Sequence, residues 1–129
     1  MRHLLDTHTL LWYTLADPRL SKTAEALILD ASHEIVISPA SIWEIAIKIR
    51  IGKLTLNQPF DDFIDVCLNQ YGFIILPIEP RHTSVLTTLP FHHRDPFDRL
   101  LIAQARHEGF KFVSRDPHIP GYGVPHIVA

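Results

Sequence analysis

Short apolar runs alternate along this chain with longer stretches of helical period. His3-Leu4-Leu5 closed by Asp6, Ile35-Val36-Ile37, Phe73 to Leu76 and Phe110 to Ser114 have the length and content of buried strands. Val124 to Val128 adds a small edge strand. Helices fill the intervals. Thr9 to Ala16 stops near Asp17-Pro18, and Ser21 opens a second helix that reaches about Ala31. Ser38-Pro39 has the form of an N-cap followed by proline at the first helical position, and this third helix stops at Gly52. Phe60, Phe63, Ile64, Cys67, Leu68 and Tyr71 repeat at helical spacing. Arg81 to Leu89 forms a short helix, and Asp95-Pro96 starts another that ends at Gly109. Apolar strands alternating with helices predict an α/β fold, with a parallel sheet covered on both faces and right-handed crossovers.

Composition narrows the class. The chain has 129 residues, the size of one domain spanning 1–129. With 47% hydrophobic and 20% charged residues it reads as globular rather than disordered or fibrous. No apolar run approaches the roughly 18 residues of a membrane helix. Asp6 interrupts the first apolar stretch, so no signal peptide is expected and the expected address is the cytoplasm. Cys67 is the single cysteine, which excludes an intrachain disulfide and a cysteine-based zinc cage; it reads as a small buried apolar residue. The formal net charge of −2 is not the footprint of a general nucleic-acid binder. It remains compatible with a nuclease whose bound cations neutralise carboxylates where phosphate must sit.

Four acidic residues carry the candidate chemistry. Asp6 ends the first strand, Asp116 follows the fourth, Asp98 lies in the first turn of a helix, and Glu44 lies within an otherwise apolar one. Open parallel sheets bind ligands at the carboxyl ends of their strands. Carboxylates gathered there repel one another unless a cation holds them. Mg²⁺ or Mn²⁺ suits such oxygen donors, and metal-assisted attack on a phosphodiester is the chemistry expected.

Each residue also has a local explanation. On the third helix Ile42, Ile45, Ala46 and Ile49 form one apolar stripe and Trp43, Ile47 and Ile51 an adjoining one. That leaves Ser41, Glu44 and Lys48 as the polar strip, where Glu44 is either a Lys48 partner or a metal ligand, in even balance. Asp95 suits the N-cap of its helix, which frees Asp98 for the metal. Asp6 and Asp116, taken singly, read as turn residues. Arg94, Arg99 and Arg115 flank the acidic positions and read as surface charge or phosphate contacts. Trp12, Tyr13 and Trp43 suit core or dimer packing better than base stacking. A zinc site at His92-His93 is disfavoured, because adjacent histidines diverge and no matching ligand pair is apparent.

Four blocks together resemble one family. Leu5-Asp6-Thr7-His8-Thr9-Leu10-Leu11-Trp12 resembles the opening of a PIN-domain protein. Ser38 to Lys48 with Gly52-Lys53-Leu54, His93 to Ala105, and Val113-Ser114-Arg115-Asp116 resemble its later blocks, in order and with family spacing. The subgroup most similar is the VapC-like toxins of type II toxin–antitoxin modules. The resemblance implies a three-layer α/β/α sandwich with a central parallel sheet of four to five strands. It also implies a Mg²⁺- or Mn²⁺-dependent ribonuclease, and it carries the metal-holding and catalytic roles onto Asp6, Glu44, Asp98 and Asp116. Implied partners are RNA, a protein antitoxin, DNA only through that antitoxin, and a second copy in a homodimer. Water would attack phosphorus to leave a 3′-hydroxyl and a 5′-phosphate. His8 departs from the Asn or Ser found in many relatives. A catalytically silent, antitoxin-binding corepressor is the alternative. An Asp6-based phosphotransferase is weaker, because position 8 is not acidic.

Overall fold

The computed structural model describes residues 1–129. Its first strand, β1 (Arg2–Leu5), buries Leu4 and Leu5 completely, one in each of two hydrophobic cores. Successive strand side chains point to opposite faces, so a strand apolar at consecutive positions needs cover on both sides. Beside β1 lie β2 (Glu34–Ile37) and β4 (Lys111–Ser114); β3 (Ile74–Ile75) and β5 (His126–Val128) form the edges. The order is β3-β2-β1-β4-β5, and every pairing is parallel. Leu4 registers with Val36 on one side and Phe112 on the other.

The helices are α1 (Thr7–Thr14), α2 (Lys22–Leu29), α3 (Pro39–Arg50), α4 (Phe60–Asp65), α5 (Pro80–Leu86) and α6 (Pro96–Glu108). Leu10, Ala24, Ile45 and Phe63 cover one face of the sheet with Leu5, Ile37 and Val113. Leu101, Ile102 and Ala105 of α6 cover the other with Leu4, Val36 and Phe112. This is the three-layer α/β/α arrangement expected. No helix is long and apolar enough to cross a membrane.

Two details depart from the sequence reading, and a third decides what it left open. Asp6 is not the end of β1 but the N-cap of α1, which begins at Thr7. The helix expected over Phe60 to Tyr71 changes to a π-helical turn at Val66–Gln70. In α3, Ser41 and Glu44 are buried, whereas Trp43 is 62% and Ile51 58% exposed. The polar strip of this helix faces inward and one apolar stripe faces out. Thr7 explains part of the inversion: its hydroxyl donates to Ser41 Oγ at 3.0 Å, tying the start of α1 to α3.

Candidate active site

A cavity of about 600 Å³ opens beside the ends of β1 and β4. Asp6, Asp98 and Asp116 line it together with His8, Trp12, Arg19, His93, Arg115 and His118. Asp6 is 7% exposed and caps α1 through Oδ1, which accepts the Thr9 amide proton at 2.8 Å. Oδ2 is left without a protein donor. The sequence weighs a turn role for Asp6 against ligation; the structure gives it a helix cap, which occupies one of its two oxygens. Thr9 donates from its hydroxyl to the Val113 carbonyl at 3.0 Å, which fastens α1 to β4.

Asp98 reaches the cavity from the first turn of α6. The cap of that helix is Asp95, whose Oδ1 accepts from Phe97 N at 2.8 Å and from Asp98 N at 3.4 Å. Burial pushes the Asp98 carboxyl up to about 7, and the nearby charges of Asp95, Glu44 and Asp6 add to the shift. Glu44 does not line the cavity. Its Oε2 meets Lys48 Nζ at 3.2 Å, the helical pair weighed above. Its Oε1 is buried with no hydrogen-bond partner. A buried orphan oxygen is costly, and the Lys48 pair leaves this one unsatisfied.

Asp116 is in the opposite state. Burial acts to raise its pKa, but hydrogen bonds from the His118 backbone amide and from the His93 and His118 side chains prevail and hold it below the ordinary carboxylate value. His93 Nε2 contacts Oδ2, and His118 Nδ1 lies 3.0 Å from Oδ1. Asp6 Oδ2, the Asp98 carboxyl and Glu44 Oε1 are oxygens without protein donors, the donor type that a hard divalent cation such as Mg²⁺ or Mn²⁺ takes. The three residues whose ligand atoms already lie within 4.8 Å of one another are instead His93, Asp116 and His118.

The PIN domain family model matches residues 3–124. The chain belongs to the PIN-domain family. Among similar proteins, ribonuclease VapC22 of Mycobacterium tuberculosis is 25% identical over 123 residues, covering 95% of this chain and 92% of the relative. Ribonuclease VapC16 of the same organism is 34% identical over 71 residues, covering 52% of this chain and only half of that relative's length. In fold, the chain resembles VapBC2 from Rickettsia felis bound to a promoter DNA fragment, with a TM-score of 0.73 at 15% identity, covering 98% of both chains. It also resembles DNA-bound VapBC from Salmonella typhimurium, with a TM-score of 0.69 at 15% identity, covering 98% of this chain and 97% of the other.

Other side chains of this PIN domain stand differently from their sequence reading. Arg99 is neither surface charge nor a phosphate contact. It is buried, donates to the Pro90 carbonyl at 3.0 Å and lies over the Phe91 ring at 4.0 Å. Trp12 lines the cavity, with the Arg19 and Arg115 guanidinium carbons 5.2 and 5.0 Å from its ring centroid. Arg19 gave no signal in sequence, since it follows a turn and pairs with Asp17. His118 likewise went unnoticed. Its proximity to Asp-Pro was visible, but its approach to His93 required the fold.

Proposed function

We propose that the chain is a Mg²⁺- or Mn²⁺-dependent endoribonuclease that works in the cytoplasm as the toxin of a VapBC-type pair. The observation that carries this reading is the convergence of Asp6, Asp98 and Asp116 on one cavity, with the unpartnered Glu44 Oε1 among the neighbours that raise Asp98. The names of the two mycobacterial relatives support the activity, and the VapBC complexes among the fold neighbours support an antitoxin partner and DNA contact through it. The outward apolar residues Trp43, Ile47 and Ile51 on α3 supply surface of the kind protein partners cover.

Asp6, Glu44 and Asp98 would hold the cation, with Asp116 completing the set. The bound ion supplies Lewis acidity, lowering the pKa of a water and neutralising phosphate oxygens. The protein does the rest. Asp6 is fixed by its cap bond and Glu44 by Lys48, so neither carboxylate has to be ordered on binding. Arg19 and Arg115 place positive charge at the rim, where an RNA backbone would pass. Trp12 packs against both guanidinium groups and holds them at the cavity. Asp98 must lose its proton before it can serve as a ligand.

The test is cleavage of a panel of RNAs with Mn²⁺, with EDTA, and with Asp98→Asn. Cleavage should require the metal and fall by about a hundredfold or more in the variant, judged against the loss of a preorganised charge in a site of this kind. Undiminished cleavage by a folded Asp98→Asn protein would overturn the reading.

A further inference from the structure

Two imidazoles and one carboxylate close on a single point at the cavity rim. His93 Nε2, an Asp116 oxygen and His118 Nδ1 all lie within 4.8 Å of one another. The ligands come from separate segments: His93 precedes α6, while Asp116 and His118 follow β4. The arrangement is held from behind. His93 Nδ1 is hydrogen-bonded to the Tyr122 hydroxyl at 2.7 Å, and the two rings stack at 5.4 Å. Tyr122 is 3% exposed and also accepts the His92 backbone amide proton at 3.1 Å. An outer oxygen bonded to the far nitrogen of an imidazole is the feature that orients histidine ligands in metal sites. On the other side, Asp116 Oδ1 accepts the His118 backbone amide proton at 2.8 Å, which sets the short loop carrying both residues.

We propose that His93, Asp116 and His118 form a second cation site, one that selects a transition metal ion of the Zn²⁺ or Co²⁺ type over Mg²⁺. Imidazole nitrogen suits the former ions and not the latter. Direct hydrogen bonds now close the space between these atoms, and an ion would take their place with a small outward shift of the imidazoles. Three protein ligands leave a fourth tetrahedral position, the pattern of sites that bind substrate or water rather than of closed structural ones. All three residues line the same cavity as Asp6 and Asp98, so that position faces the space where the proposed function puts a phosphate. The centre then has unlike halves that share Asp116: oxygen donors alone, and two nitrogens with a carboxylate. The inference rests on the proposed function for its role, but not for its ligands.

The experiment is a Zn²⁺ titration of the full chain carrying ¹⁵N-histidine, read by long-range ¹H–¹⁵N spectra and by calorimetry. One equivalent of Zn²⁺ should shift His93 Nε2 and His118 Nδ1 and leave His107 in place. His118→Ala and His93→Gln should weaken zinc binding by about tenfold or more, and Tyr122→Phe by about tenfold. His107→Gln should match the parent, and a hundredfold excess of Mg²⁺ should not displace the zinc. Far-UV circular dichroism confirms that each variant is folded. Equal zinc affinity in a folded His118→Ala protein, or shifts at other nitrogens only, would overturn the proposal. The two readings separate cleanly. A chain that cleaves RNA with Mg²⁺ but binds no zinc here defeats this inference alone, and one that binds zinc here but cleaves nothing defeats the nuclease reading alone.

Discussion

Asp98 and Asp116 are the same chemical group with pKa values moved in opposite directions, and the difference comes from their surroundings. Asp98 has no hydrogen bond to its carboxyl and three acidic neighbours, whereas Asp116 has an amide and two imidazoles. With its pKa at about 7, Asp98 carries a proton through the acidic range, and a cation must displace it. Mn²⁺ affinity should therefore climb as pH rises toward about 7 and level off above it. Calorimetry at pH 6 in two buffers of different ionisation enthalpy should count the proton released. An affinity flat from mildly acidic to mildly basic pH would contradict this account. Asp98 itself was legible in the sequence, because one cap suffices for α6 and Asp95 supplies it. His93 and His118 were not: they sit 25 positions apart in sequence, and only the return of the chain after β4 brings them together, edge to face.

Capping makes α6 the most readable element. Asp95, Pro96 and Gly109 mark its ends, and Gly109 adopts the left-handed conformation (φ 72°) that favours glycine there. Asp95→Ala should cost about 1 kcal/mol through the lost cap. It should also lower the Asp98 pKa, because Asp95 is the largest of the charges acting on it. Thermal unfolding and carboxyl NMR titration measure the two effects separately. An unmoved Asp98 would remove Asp95 from the causes of its shift. By contrast the sequence leaves open which side of α3 faces outward. Periodicity tells which residues share a stripe, but two apolar stripes and one polar strip do not say which of them meets solvent. Glu44 turns inward because α3 packs beside α1 and α6, with Ser41 held by Thr7. The π-helical turn after α4 gave no advance sign either, since Cys67 and Leu68 suit either helical geometry.

Across the molecule, the sheet and its two cores follow from the apolar strands, and a buried histidine lies among them. His3 on β1 is 1% exposed, and its Nδ1 has no partner. Burial lowers its pKa below 6.5, helped by the charges of His33 and Lys111. The folded protein thus favours the neutral ring. Its stabilising contribution is complete above about 6.5 and is lost as pH falls from there toward the lowered folded value. Melting temperature should drop over that window, and His3→Leu should shallow the drop. Equal slopes in the two proteins would remove His3 from the acid response. The placement of β1 between β2 and β4 has a further consequence in time. Synthesis proceeds at roughly 5–20 residues per second, and the strand that closes one flank of β1 begins at Lys111. For several seconds a nascent polypeptide has Asp6 and Glu44 but neither β4 nor Asp116, so the proposed site cannot assemble before the ribosome has passed Asp116.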